Sequence, residues 1–548
     1  MQRFVILLLM GLVIGIPFAL RPTQQKVDAN PDERLIIITP HNESIRYEFN
    51  RGFQEWYREK TGKTVYIDWR VPGGTSEINK FINSEYVNAF RNYWTDELGR
   101  EWNTTVAEKF NNPSVELDET PKDDTLAQQA RRTFLNSDVS NRLDLFFGGG
   151  AYYFGQQAKA GHLVPSGILK KRPERFTREI IPHTYKGETF YDKRGRWVGT
   201  ALSTFGILYN KELVQQADVP HPPKQWKDLT DHAYFAQLGV SDPTKSGSIA
   251  AAFEMIVQQH MQEAMAAAVE RTQASEADEL DNSQRQRALA TGWADALQTI
   301  QAISANARYF TESASKPVID VSQGNCAVGM CIDFYGRYQE ENIANRTNGQ
   351  SRVLYATPQN GSSVSADPIG LFRGAPNSKV ALAFIDYVTS IEGQKLWDYR
   401  KGTPGGPELY TLRRPPIRRD LYTPKHRQYF ADKEVNPYHD TGDFIYHPEW
   451  TGSLFNPMRF IIRTAFIDPH DELAAARRAI IRARREGRTA SAKKAGKVFH
   501  DLSKLSYENV FESIRPALKG KKIEEVRLAK KLGQHFRNQY QKARRLAN

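Results

Sequence analysis

The sequence predicts an α/β fold with doubly wound sheets, and three observations carry that expectation. Short apolar runs, at 35–38 and 143–147, alternate with longer segments whose apolar residues recur at three- and four-residue spacing, as Ile45, Phe49, Phe53 and Trp56 do. The strand-like runs lead into polar or glycine-rich loops that open helices, the βαβα order of a doubly wound sheet. With 548 residues, 40% of them hydrophobic, the chain is long enough for two or three domains with sizeable cores.

Taken in order, residues 4–20 are seventeen consecutive apolar or small residues behind Arg3. Such a run targets a chain to a membrane, and its length suits either a cleaved signal or a spanning anchor. Val27-Asp28-Ala29 is the nearest small-residue cleavage signal, and no cysteine follows the run to take a lipid. Residues 1–29 are therefore read as a signal peptide or N-terminal membrane anchor. That reading puts the remainder in the periplasm or on the extracytoplasmic face of the inner membrane.

Residues 35–38 form the first strand, and His41, Asn42 and Glu43 sit in the polar loop at its end. A helix over about 44–60 is closed by Gly62, a second strand follows over 64–69, and Gly73-Gly74-Thr75-Ser76 opens the next helix. Residues 85–135 are polar and helical with a break at ETPKDD, longer than such a lobe needs, and read as an insertion. Leu143, Leu145, Phe146 and Phe147, a run too short for a buried helix and bounded by glycine, read as a buried strand of a parallel sheet. Gly148, Gly149 and Gly150 then permit positive φ or close backbone approach, so this turn is either a binding loop or a tight βα connection. Further on, 246–248 lead into an Ala-rich helix, 257–303 are helical, 318–332 read as strand, and 413–450, rich in Pro, Tyr and Arg, read as irregular chain packed on the body.

Three segments in order carry a resemblance: FFGGG with AGHLVP after it, TALSTFGILYNKELV at 200–214, and ADPIGLFRGAPNSKVALAFIDYVTSIEGQKLW at 366–397. Over roughly residues 35–400 the chain resembles the extracellular solute-binding proteins of ABC importers, in the branch that takes ferric ion or organic anions. The resemblance implies a two-lobed, periplasmic-binding-protein-like fold over 30–410 with a hinge and a central cleft, its lobes interleaved with crossings near 197–209 and 333–357. Residues 411–548 then form a C-terminal extension. The function implied is capture of a small polar or anionic solute, such as a sugar, sugar phosphate or phosphonate, and its delivery to an ABC permease in the membrane. A cell-envelope interaction protein that keeps the fold without transport is the alternative. No cofactor and no nucleic acid partner are expected.

Ser246-Gly247-Ser248 is the strongest anion-site candidate, because hydroxyls and free N–H groups at a helix N-terminus suit phosphate, phosphonate, carboxylate or sulfate; simple capping is the competing reading. Gly74, Thr75 and Ser76 carry the same two readings. Ligand-facing loops after strands add His41, Asn42, Glu43, Gly149, Gly150 and Tyr152, and the lobe crossing adds Ser203, Thr204 and Phe205. Asp333 and Tyr335 bear on metal. The ferric-ion branch places two adjacent tyrosines there, and this sequence has Phe334, which cannot ligate, so iron is not expected and Asp333 reads as an acceptor for a ligand's amine or hydroxyl. Tyr152-Tyr153 is an adjacent pair away from the family position. The motifs G-x-S-x-G, H-E-x-x-H and G-x-x-x-x-G-K-[ST] are absent, so a binding protein is expected, not an enzyme.

Charge is strongly localised. Residues 471–548 hold 21 Lys and Arg against 8 Asp and Glu, while residues 1–470 are almost balanced. Within the basic tail, Leu473, Ala476, Ile480, Ile481 and Ala483 form an apolar stripe backed by arginines, which suits either anionic lipid headgroups or packing on the body. Cys326 and Cys331, in one strand, would stand about 16 Å apart at 3.3 Å per residue, beyond disulfide reach, so two buried free thiols are expected.

Overall fold

The computed structural model describes residues 30–118, 123–217, 219, 221–273, 275–439, 442–520 and 522–548. The targeting segment at 4–20 and residues 119–122 of the ETPKDD break lie outside the described residues. Among the described residues, no helix is long and apolar enough to cross a membrane.

The first lobe opens with β1 (Glu33–Ile38), α1 (Glu43–Thr61), β2 (Val65–Arg70) and α2 (Thr75–Asn92), and continues with β3 (Leu145–Phe147), α3 (Ala151–Ala160) and β4 (Leu163–Val164). α1 forms because Ile45, Phe49, Phe53 and Tyr57 share a buried face; Asn42 Oδ1 caps its start by accepting the Ile45 N–H at 3.1 Å, and Gly62 ends it at φ 72°. A small hairpin, β5 (Thr184–Tyr185) and β6 (Glu188–Thr189), precedes β7 (Trp197–Ser203). The second lobe contains β8 (Phe205–Asn210), β9 (Leu238–Ser241), α4 (Gly247–Thr272), α5 (Asn282–Asn306), β10 (Ala307–Thr311), α6 (Lys316–Gln323), β11 (Val328–Ile332), α7 (Asp333–Arg346) and β12 (Val353–Ala356). The chain then returns to the first lobe with β13 (Ser365–Phe372), α8 (Ser378–Val388) and α9 (Ile391–Asp398).

Strand order in the first sheet is β2-β1-β3-β13-β4, with β7 also paired to β13. β1 is parallel to β2 and β3, but β13 is antiparallel to β3, β4 and β7. The sheet around residues 145–147 is therefore mixed, not wholly parallel, because β13 enters it reversed on its way back from the other lobe. Helices cover both faces: α1, α8 and α9 bury Phe49, Phe53, Phe384 and Trp397 on one, and α2 and α3 bury Ile78, Ile82, Phe90 and Phe154 on the other. The second sheet has the order β10-β9-β11-β8-β12.

β7 runs directly into β8 through Thr204, and the return path is 357–364. That return comes later than the 333–357 expected, since β11, α7 and β12 all belong to the second lobe. The Phe205 N–H donates to Ser362 Oγ at 2.8 Å and ties the two crossings together. Residues 316–323 are helix where strand was expected: Pro317 stands in the first turn, Val318 and Val321 share a buried face, and Gly324 stops the helix. Cys326 and Cys331 are both buried free thiols.

Beyond residue 411 the chain is structurally part of both lobes. Leu412 joins the first-lobe core and Pro416 bridges Ala201. Between Tyr438 and Phe444 the chain passes to the second lobe, where α10 (Phe455–Ile462), α11 (His470–Arg485), α12 (Thr489–Phe499) and α13 (Lys522–Ala547) share one core with α4 and α5. The lipid reading of the apolar stripe is thereby corrected. Leu473, Ala476, Ile480 and Ala483 are at most 6% exposed and pack in that core, and Ile481 is half-buried.

Candidate functional site

A cleft of about 1070 Å³ lies between the lobes, a volume proper to small-molecule sites. His41, Asn42, Gly74, Thr75, Gly149, Gly150, Tyr152, Ser203, Phe205, Ser246, Gly247, Ser248 and Tyr335 all line it. Four residues singled out in the sequence do not. Glu43 is exposed on the first turn of α1. Ser76 is buried against Tyr153, hydroxyl to hydroxyl at 2.9 Å. Thr204 and Asp333 hold each other: Asp333 Oδ2 accepts the Thr204 N–H at 3.1 Å, and its Oδ1 accepts the Phe334 N–H at 2.8 Å. Burial pushes the Asp333 carboxyl up, with Arg337 opposing. Its oxygens fasten the hinge and start α7, so it is not the ligand acceptor that the sequence suggested.

Helix starts from both lobes meet at the cleft. α2 follows Gly74, α3 follows Gly150 and α4 follows Ser246. A Cβ built on Gly74 would stand 3.3 Å from the Lys245 carbonyl, and one on Gly247 would stand 3.9 Å from Thr75 Cβ, so α2 and α4 face each other closely. Ser246 does cap α4, its Oγ accepting the Ile249 N–H at 3.3 Å. The N–H groups of Thr75, Ala151, Gly247 and Ser248 have no partner among the described residues. Capping and free N–H donors therefore coexist at α4.

The glycine turn is occupied by the chain itself. Gly149 N–H donates to Asp367 Oδ1 at 2.5 Å and Gly150 N–H to the same oxygen at 3.3 Å. Gly149 has φ 118°, and a Cβ there would meet Thr75 Cγ2 at 2.5 Å, so no other residue fits. Asp367 Oδ2 in turn accepts from Arg414 NH1 at 2.5 Å and His41 Nε2 at 2.9 Å, while Arg414 NH2 donates to Ser203 Oγ at 2.8 Å. Burial alone would raise Asp367, but Arg414 and His41 prevail and hold it ionised, far below the usual carboxylate range. Burial lowers His41, which stays neutral with Nε2–H toward Asp367. The N–H groups expected to meet a solute are thus satisfied internally, because β13 lies beside β3 and places Asp367 at the turn.

The cleft has an acidic side as well. Glu188 accepts Ser363 Oγ–H at 2.6 Å and is pushed up to about 7 by burial, with Glu254 adding to the rise. Glu254, on α4, accepts from Thr451 Oγ1 at 2.6 Å and Tyr446 OH at 2.9 Å, and burial raises it too.

One residue of the C-terminal extension spans the lobes. Arg459, on α10, donates to Pro243 O at 2.6 Å and Thr244 O at 2.8 Å in the second lobe, and to Tyr153 OH at 2.6 Å and Ser76 Oγ at 2.8 Å in the first. Tyr152 meets the Tyr153 ring edge-on, centroids 5.4 Å apart, while its OH accepts from Gln156 at 2.8 Å and its ring packs on Phe455. Arg414, Arg459, Glu188 and Glu254 were not among the expected site residues. A lone charge inside an apolar stretch was the available signal for Arg459, in PMRFII, and for Glu254, in IAAAFEMIV; Glu188 sits in polar sequence with no such mark.

A family model described as bacterial extracellular solute-binding protein matches residues 143–411. An uncharacterized protein of Haemophilus influenzae is 23% identical over 257 residues, covering 46% of this chain and 60% of its own length. The periplasmic binding protein AfuA from Actinobacillus pleuropneumoniae, solved with exogenous fructose-6-phosphate bound, is 16% identical with a TM-score of 0.40 over 66% of this chain and 81% of its own. The apo ferric ion-binding protein A of Pasteurella haemolytica is 11% identical with a TM-score of 0.46 over 78% of this chain and 96% of its own. Residues 143–411, which carry both lobe crossings and most strands of the two sheets, belong to the bacterial extracellular solute-binding protein family.

Proposed function

We propose that this protein is the extracytoplasmic solute-binding component of an ABC importer, and that its cleft takes a small anionic solute bearing phosphate or phosphonate, such as a sugar phosphate. The meeting of helix N-termini from both lobes carries the reading. Each brings roughly half a positive charge and unpaired N–H donors. An anion between Thr75 and Gly247–Ser248 would be bonded by both lobes at once, which favours the closed state. The crossings at Thr204 and 357–364 supply the hinge, and the permease reads the closed form. Glu188 and Glu254 supply acceptors for hydroxyls or an amine on the solute's body. The second reading, a cell-envelope protein that keeps the fold without transport, draws on Arg459, a side chain of the protein itself that bonds to both lobes.

Calorimetry with fructose 6-phosphate, methylphosphonate, inorganic phosphate and sulfate, on the unmodified protein and on Gly247→Asp, tests the reading. A Cβ at Gly247 meets nothing nearer than 3.7 Å, so the aspartate fits. A carboxylate in the first turn of α4 also suits the helix while filling the anion position. At least one anion should bind the unmodified protein and bind the variant about 100-fold more weakly, two charge-assisted hydrogen bonds being worth roughly 1.5 kcal/mol each. If none binds, or one binds both proteins equally, the anion reading falls and the second reading takes its place.

A further inference from the structure

Away from the cleft, a second cavity of about 340 Å³ lies where α11 meets the end of α12 and the turn at Trp226–Thr230. Arg477, Arg484 and Arg485 reach it from α11, His500 closes one end, and Ile481 and Phe499 form an apolar wall. Positions 477, 481, 484 and 485 recur at helical spacing, which gathers the three guanidinium groups on one side of the helix. Among the described residues Asp231 is the one carboxylate at this cavity, and it is already engaged by the Ala233 N–H at 2.9 Å and by His232 Nδ1 at 3.3 Å.

The cations are otherwise unmatched. Arg484 and Arg485 side chains have no hydrogen-bond or ion-pair partner among the described residues. Arg477 donates to Asn306 Oδ1 at 2.9 Å and to the Thr230 carbonyl, with no carboxylate. Cations in the last turn of a helix complement its dipole, which accounts for Arg484 and Arg485. It does not account for Arg477, two turns earlier and half-buried against the cavity. Burial, with Arg484 and against Asp231, pushes Arg477 down to about 10; burial, with Arg477 and Arg484, pushes His500 down to about 4. Like charges are thus held together in a place where an anion would relieve them.

We propose that this cavity is a second binding site, separate from the cleft, that takes a phosphate-monoester dianion. Forked guanidinium donors match phosphate oxygens in pairs. His500 is prepared to join them. Gln301 Nε2 donates to Phe499 O at 2.8 Å, so Gln301 Oε1 faces His500 Nδ1 at 2.9 Å as acceptor, and Nε2 is left to take a proton and donate once an anion arrives. The volume is near the lower end for small-molecule sites, enough for a headgroup and little more. That group comes either from a soluble phosphate compound or from a phosphatidic acid surface.

The test uses the Gly247→Asp protein, in which the cleft's anion position is filled, with and without Arg484→Ser plus Arg485→Ser. The side chains of these two exposed arginines make no hydrogen bond or ion pair among the described residues, so replacing them removes from the fold only their interaction with the helix dipole. Probes are inorganic phosphate by calorimetry, and vesicles of phosphatidylcholine with or without phosphatidic acid by co-sedimentation. Histidine-labelled NMR follows the titration of His500, whose charged neighbours are Arg477, Arg484, Arg485, Asp231 and His232. Binding of phosphate to the parent, at least tenfold weaker in the double serine variant, with His500 titrating at higher pH when phosphate is present, assigns a soluble ligand. Binding confined to phosphatidic acid vesicles and lost in the variant assigns a lipid headgroup. No binding of either probe, or equal binding by parent and variant, overturns the proposal.

Discussion

Replacing Arg459 with alanine should open the protein. The guanidinium makes two bonds into the first lobe, to Tyr153 OH at 2.6 Å and Ser76 Oγ at 2.8 Å, and two into the second, to Pro243 O and Thr244 O. Hydrogen bonds from a charged donor contribute about 1.5–3 kcal/mol each. The two that cross the lobes therefore favour closure by roughly 3 kcal/mol, or about 100-fold in the ratio of closed to open forms. Among the described residues no carboxylate is paired with Arg459, so its removal strands no charge there, and the loss falls on the clasp more than on the fold. Single-molecule energy transfer between dyes at Glu59→Cys and Glu270→Cys, both exposed and in different lobes, reads the change, since Cys326 and Cys331 are buried and stay unlabelled. Without solute, the unmodified protein should show one short-distance population and Arg459→Ala mainly a long-distance one; Arg459→Lys should fall between. An unchanged distribution in Arg459→Ala would refute the clasp.

Two further outcomes follow from the buried charges. Glu188 titrates near 7 in the folded protein against an ordinary 4.5, so the folded form retains a proton the unfolded chain releases. Its contribution is full below about pH 4.5 and is lost as pH rises through 7, roughly 3 kcal/mol in all. Urea unfolding at pH 5 and pH 8 should show that loss, and Glu188→Gln should flatten it, with a residual slope from Glu254. Arg414→Met leaves the Asp367 carboxylate buried without its cation and should destabilise by about 3–5 kcal/mol. Adding Asp367→Asn should recover much of that loss in the same denaturation experiment. Equal stability of the single and double variants would show that pairing with Asp367 is not what Arg414 supplies.

The features legible in the sequence were those set by near neighbours. Gly74, Gly150 and Ser246 announced helix starts because capping and positive φ involve only the next few residues, and all three starts open on the cleft. Gly62 announced a helix end for the same reason. What escaped was set by distant partners. Asp367 fills the glycine turn from 218 residues away, and no local pattern marks it as an acceptor. The direction of β13 depends on the chain having visited the other lobe first. The apolar stripe of α11 was visible, but an amphipathic helix does not name what covers it, and here the cover is the second-lobe core. Helix α6 was misread through its apolar Val318 and Val321, although Pro317 in a first turn and Gly324 beyond were local signs of a helix.

The shared core of the second lobe also has a consequence for how the chain is made. Trp293 Nε1 donates to Leu505 O across 212 residues, and Gln301 reaches Tyr540 OH across 239. Contacts that close such long loops form late, and topologies rich in them fold slowly. Until residues 473–547 have been synthesised, α5 packs on α4 but lacks the cover that α11, α12 and α13 give it in the finished core. The first lobe shares this delay only in part, waiting on β13 and the segment through Leu412. A nascent chain of this design therefore carries an incompletely covered apolar face from about residue 306 to the end of its synthesis, the interval in which such surface is open to aggregation.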